Sequence, residues 1–193
     1  AHVCDKEMIL ECIELGVDII DHGNEVDEQC VEAMAKAGTY WVPSLIYPKM
    51  HFDLGWDDVA GIMRSQYDRV RGLLPLAHKT GVKILVGDDY SGVFRDLMAD
   101  DPLDHQVGRY GREFAYYGEL EGLSAMDVLS WGTSNPGELL DDSSGKVGVV
   151  EPSALADLIV VDGNPVEDLS LLARPDEVLK AVIRDGEFVI NRL

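Results

Sequence analysis

Three times in its first ninety residues the chain repeats one unit: an apolar helical stripe, a glycine, a short apolar run and a polar tip. Met8, Ile9, Cys12 and Ile13 share one helical face, with Asp5 placed as an N-cap and Gly16 where a helix ends. "VDIID" (17–21) then reads as a strand leading into His22. Val31, Met34 and Ala35 mark the next helix, Gly38 stops it, and a strand is expected over 39–44, weakened by Pro43. Val59, Ile62, Met63, Tyr67, Val70 and Leu74 form a longer stripe that Pro75 is expected to kink or break. Gly81 then precedes "VKILVG". Alternation of this kind predicts an α/β fold with a parallel sheet, and in such sheets ligands and chemistry gather at the carboxyl ends of the strands.

Beyond Gly92 the pattern changes. Residues 95–104 read as acidic loop, and 106–120 as a helix with Val107, Tyr110, Phe114 and Tyr117 at helical spacing. Ser124 is expected to cap another helix with Asp127 completing a capping box, and a short helix is expected over 136–140. The last stretch, "KVGVVEP", "ADLIVVD" and "LKAVIRDGEFVI", reads as strands, with Asp185-Gly186 as a hairpin turn. Such a unit is too short to stand alone and must pack against other strands or the α/β part.

The charge balance, 16 basic against 36 acidic residues for a net of −20, argues against nucleic-acid partners and anionic membranes. No apolar run reaches the roughly 20 residues of a membrane span. Cys4, Cys12 and Cys30 show no metal-type spacing and read as thiols of a cytoplasmic protein. The opening, "AHVCDKEM", enters a helix almost at once and has no initiator Met. A fragment, a processed product or one half of a split protein is expected.

His2, His22 and Asp89 stand at equivalent strand ends, and histidine with carboxylate suits zinc and related divalent ions. Taken singly, each has a plainer reading: a histidine at a strand end as a structural hydrogen-bonder, and the acids of "GDDYSG" as a turn. Trp41, Tyr47 and Tyr90 are candidates to line a substrate pocket or simply to pack, and His105 to contact substrate or to start a helix. His51 and His78 read as surface residues. Neither a G-x-S-x-G nucleophile motif nor a phosphate loop is present.

In order, "AHV", "IIDHGN" and "ILVGDDYSG" resemble the later strands of the metal-dependent amidohydrolase superfamily. "GLSAMDVLSWGTSNPGELL" resembles its helical region after strand eight, and "GKVGVVEPSALADLIVVDGNP" its return into a small β-sandwich. The nearest flavour is the imidazolonepropionase-like and prolidase-like branch, which includes hydrolases of carbamate-type and phenylurea herbicides. The resemblance implies strands five to eight of a (β/α)₈ TIM-type barrel over residues 1–144, and the C-terminal part of the β-sandwich over 145–193. It implies His2 and His22 as metal ligands and Asp89 as ligand and proton shuttle for one or two divalent ions, zinc foremost. In a two-metal site the histidines share an ion; in a one-metal site His22 contacts substrate or water instead. Asp88 stands where the family has Thr and reads as a turn residue; Ala154–Leu155 replaces the usual Gly-Lys near the tail.

The family's His-x-His pair and strand-four ligand have no counterpart here, and Lys6, Lys36, Lys49, Lys79 and Lys83 are wrongly placed for the latter. The expected partner is therefore the N-terminal half of the same barrel, covalent or separate, in a full enzyme expected to be homo-oligomeric. The implied activity is hydrolysis of an amide-like C–N bond (amide, cyclic amide, carbamate or urea) in a small molecule. A prolidase-like dipeptidase and a non-catalytic half-barrel used for assembly or binding are the alternatives.

Overall fold

A computed structural model describes residues 1–53, 61–87, 111–140 and 145–193. The expected repeat is present. Strand β1 (His2–Val3) leads to helix α1 (Lys6–Glu14), β2 (Ile19–His22), α2 (Glu28–Ala37) and β3 (Tyr40–Val42). The three strands form a parallel sheet in the order β1-β2-β3. Trp41 of β3 pairs in parallel with Ile84, so the "VKILVG" run lies alongside as the next extended segment.

The helices start and stop as elementary chemistry dictates. The Asp5 carboxylate accepts from Met8 N at 3.1 Å, and that of Asp27 from Cys30 N at 3.0 Å. Burial pushes the Asp27 carboxyl up, but the Lys6 ammonium and the Cys30 backbone N–H more than offset it and hold it below the usual range. At the other ends Val17 N donates to Cys12 O, Thr39 N to Met34 O and Val82 N to Ala77 O, each at 3.0 Å. These are Schellman-type closures around left-handed Gly16, Gly38 and Gly81, a conformation open to glycine at little cost. Each closure hands the chain directly to the next extended segment.

In register, Ile20, Trp41 and Ile84 form a fully buried row across the sheet. Against that side pack Ile9 and Ile13 of α1, Val31 and Met34 of α2, and Tyr67, Val70, Leu74 and Ala77 of helix α4 (Ile62–Thr80). Pro75 does not break α4, which runs on to Thr80. One lost hydrogen bond is offset by a buried stripe that runs past the proline on both sides. A further helix, α3 (Ile46–Asp53), was not expected from the sequence. Pro48 falls in its first turn, where a missing N–H costs nothing.

Helices α5 (Arg112–Gly118), α6 (Ala125–Trp131) and α7 (Ser134–Leu139) follow. The Ser124–Asp127 capping box forms as expected. The far edge of the Ile84 segment is sealed by this region: Asn135 Nδ2 donates to Ile84 O at 2.8 Å, and Val86 N to Trp131 O at 3.0 Å. The final sheet is antiparallel: β4 (Leu158–Val161), then, after a short 3₁₀ turn and helix α8 (Pro175–Val178), β5 (Leu179–Arg184) and β6 (Glu187–Asn191). Asp185 and Gly186 make the hairpin turn with φ of 49° and 79°. "KVGVVEP" forms no strand, which corrects the expectation. Gly148 is pressed so closely on the Thr133 carbonyl that a Cβ would stand 2.2 Å from it, so this segment follows α7 instead of a ladder. Among the described residues, no helix is long and apolar enough to cross a membrane.

Candidate active site

His2 in β1 and His22 at the end of β2 meet. Nε2 of His22 lies 2.9 Å from Nδ1 of His2, with the rings edge-on at 4.5 Å between centroids and 71° between planes. The pleat alone does not produce this. Val3 and His22 are register partners, and Ile20 lies two residues before His22, so a regular strand would turn His22 toward the buried helical side. His2 belongs to the opposite side. The alternation breaks at His22, whose φ is +70°, and Gly23 follows at +69°. Two successive left-handed residues swing the imidazole round to His2.

That turn is held from several directions. Gly23 N donates to Val3 O at 2.9 Å, and Val26 N to Gly23 O at 2.9 Å. The Trp41 indole Nε1 donates to His22 O at 2.9 Å. From α4, Gln66 Oε1 accepts from Asn24 Nδ2 at 3.2 Å, and Arg69 donates to Asn24 O at 3.3 Å.

The geometry fits a shared divalent ion. Two imidazole nitrogens each about 2.0–2.1 Å from one tetrahedral zinc ion stand about 3.3 Å apart, so the pair, at 2.9 Å, would share an ion after opening slightly. Among the described residues no group of three or more His, Cys, Asp or Glu side chains that could hold a metal ion is assembled. Asp88, Asp89, Tyr90 and His105 lie outside the described residues. Trp41 is wholly buried, with its indole N–H spent on the His22 carbonyl. Tyr47 is half-buried on α3, its ring 4.5 Å from that of His51. His51 and His78 are half-buried rather than plain surface: His51 Nδ1 lies 2.9 Å from Tyr47 O, and His78 Nε2 3.5 Å from Asp127 Oδ1.

One buried acid escapes the sequence reading. Glu113, fully buried in α5, accepts from Ile46 N at 2.6 Å and so caps α3, the helix that follows β3. Its signal is an acid at helical spacing within the apolar stripe of Tyr110, Phe114 and Tyr117. Burial, with the Glu113 carboxylate adding to it, drives the Tyr117 phenol well above its ordinary pKa.

A profile of the Amidohydrolase family matches residues 1–189. The chain belongs to the amidohydrolase family. An uncharacterized protein of Mycobacterium tuberculosis is 28% identical over 185 residues, 93% of this chain and 45% of the relative. Among solved structures, a Xaa-Pro dipeptidase with methionine bound in its active site is 30% identical with a TM-score of 0.76, matching 98% of this chain and 44% of its own. Ochratoxinase of Aspergillus niger, 20% identical, shares the fold with a TM-score of 0.81 over 99% of this chain and 41% of its own. The chain thus spans less than half the length of these relatives. Its fold is the α/β fold of these amidohydrolase enzymes.

Proposed function

We propose that residues 1–144 are strands five to eight of an amidohydrolase (β/α)₈ barrel, and 145–193 part of its β-sandwich. The whole protein then hydrolyses an amide-like C–N bond of a small molecule. The observation that carries this reading is the 2.9 Å approach of His2 Nδ1 and His22 Nε2 at neighbouring strand ends. His2, His22 and Asp89 would hold one or two divalent ions, zinc foremost, with the remaining ligands from the N-terminal half of the barrel. Bound there, an ion would lower the pKa of water into the neutral range and polarise the scissile carbonyl.

The chain's own residues do the rest. Asp89 would take the proton of the attacking water and return it to the leaving nitrogen. His22 holds its nitrogen beside His2, as ligand in a shared-ion site or against the developing oxyanion in a one-metal site. Tyr90, Tyr47 and His105 remain candidates for substrate contact.

The experiment compares full-length wild type with His2→Ala, His22→Ala and Asp89→Asn, reading metal content and turnover. The histidine variants are expected to lose metal, and Asp89→Asn to lose turnover by at least 100-fold, the lower range for a general base. Unchanged metal in both histidine variants removes the ligand assignment; full turnover in Asp89→Asn removes the base. A second reading, a prolidase-like dipeptidase, is favoured by the 30% identity to a Xaa-Pro dipeptidase. Xaa-Pro dipeptides assayed beside N-acyl amides and carbamates separate the two. Metal binding without turnover on any of them would leave a binding module.

A further inference from the structure

We infer that Trp41 is a positioning residue for His22: its indole N–H clamps the strained turn that brings the imidazole to His2. The inference rests on the proposed role of His22 as a metal ligand. A non-glycine residue in the left-handed region is strained and persists only where its surroundings over-determine it. The carbonyl of the left-handed residue itself accepts from Trp41 Nε1 at 2.9 Å. Trp41 cannot drift, because it is wholly buried in the row between Ile20 and Ile84. Gly23, the second left-handed residue, is packed on the same indole: a Cβ there would stand 3.2 Å from Trp41 Nε1. Relaxing the turn to a regular pleat would send the imidazole to the helical side, away from His2. Any buried indole N–H needs an acceptor; here that acceptor is the carbonyl of the left-handed residue itself.

The test is titration of the metal-free full-length protein with zinc, for wild type, Trp41→Phe, His22→Ala and the double variant. Chemical denaturation of each runs alongside. Loss of an outer hydrogen bond to a ligand residue typically costs 10–100-fold in metal affinity. Trp41→Phe is expected to weaken zinc binding within that range, and the double variant to bind no more weakly than His22→Ala alone. A Trp41→Phe protein that is less stable yet binds zinc within twofold of wild type, while His22→Ala binds weakly, overturns the inference and leaves the metal site standing. Wild-type affinity in His22→Ala overturns the metal assignment first, and the inference with it. Should Trp41→Phe fail to fold, benzothienylalanine at position 41 keeps the ring shape and replaces only the N–H. Wild-type affinity in that protein overturns the inference equally.

Discussion

At the scale of single residues, the decisive feature is a backbone angle. The identity of His22 makes it a candidate ligand, but its φ of +70° decides which side of the sheet it serves. Gly23 makes the turn affordable, because its own φ of +69° suits glycine and its missing Cβ leaves room for the Trp41 indole. Gly23→Ala is therefore expected to cost about 1–2 kcal/mol in denaturant unfolding of the full-length protein. A cost within the ordinary surface range of roughly ±0.5 kcal/mol would contradict this account of the turn. Much of the pair is legible in the sequence. His2 and His22 stand at matching points of the repeat, and "HGN" carries the glycine. The reversal of the pleat is not legible, since a histidine in the left-handed region has no signature of its own. Trp41 reads as lining a pocket or simply packing, and only the structure shows its indole N–H on the His22 carbonyl.

At the scale of elements, local rules account for what the sequence predicts, and remote contacts for what it misses. Asp5, Asp27 and Ser124 lie beside the N–H groups they cap, so helices α1, α2 and α6 are foreseeable. The cap of α3 comes from Glu113, 67 residues away, and no short window of sequence contains it. Glu113→Ala is expected to strand a buried N–H and cost about 1–3 kcal/mol in unfolding. Glu113→Gln, which keeps an acceptor, should restore part of that; equal losses would show that the cap is not what Glu113 supplies. The capping box has a pH signature. The Ser124 hydroxyl and backbone N–H hold the Asp127 carboxyl below its ordinary 3.8. A lowered pKa stabilises the fold above the unfolded value and is lost as pH falls through the folded one. Ser124→Ala should thus cost about 1 kcal/mol at pH 7. Its deficit should shrink in unfolding curves taken near pH 3; a deficit that grows toward acid would reverse the sign argued here.

At the scale of the whole molecule, the two sheets differ in how completely this chain satisfies them. The parallel sheet is sealed along the Ile84 segment by Asn135 and Trp131 and covered on one side by α1, α2 and α4. The antiparallel sheet leaves Ile159, Phe188 and Val189 more than half exposed. These faces agree with the proposal that the working protein contains more than this chain, as do relatives more than twice its length. The central claim is that one divalent ion sits between His2 and His22. It is tested most directly by a crystal structure of the zinc-loaded full-length protein with anomalous data at the zinc edge. The account predicts a zinc peak about 2.0–2.1 Å from both His2 Nδ1 and His22 Nε2. A zinc peak elsewhere, with the two nitrogens still hydrogen-bonded to each other, would contradict it.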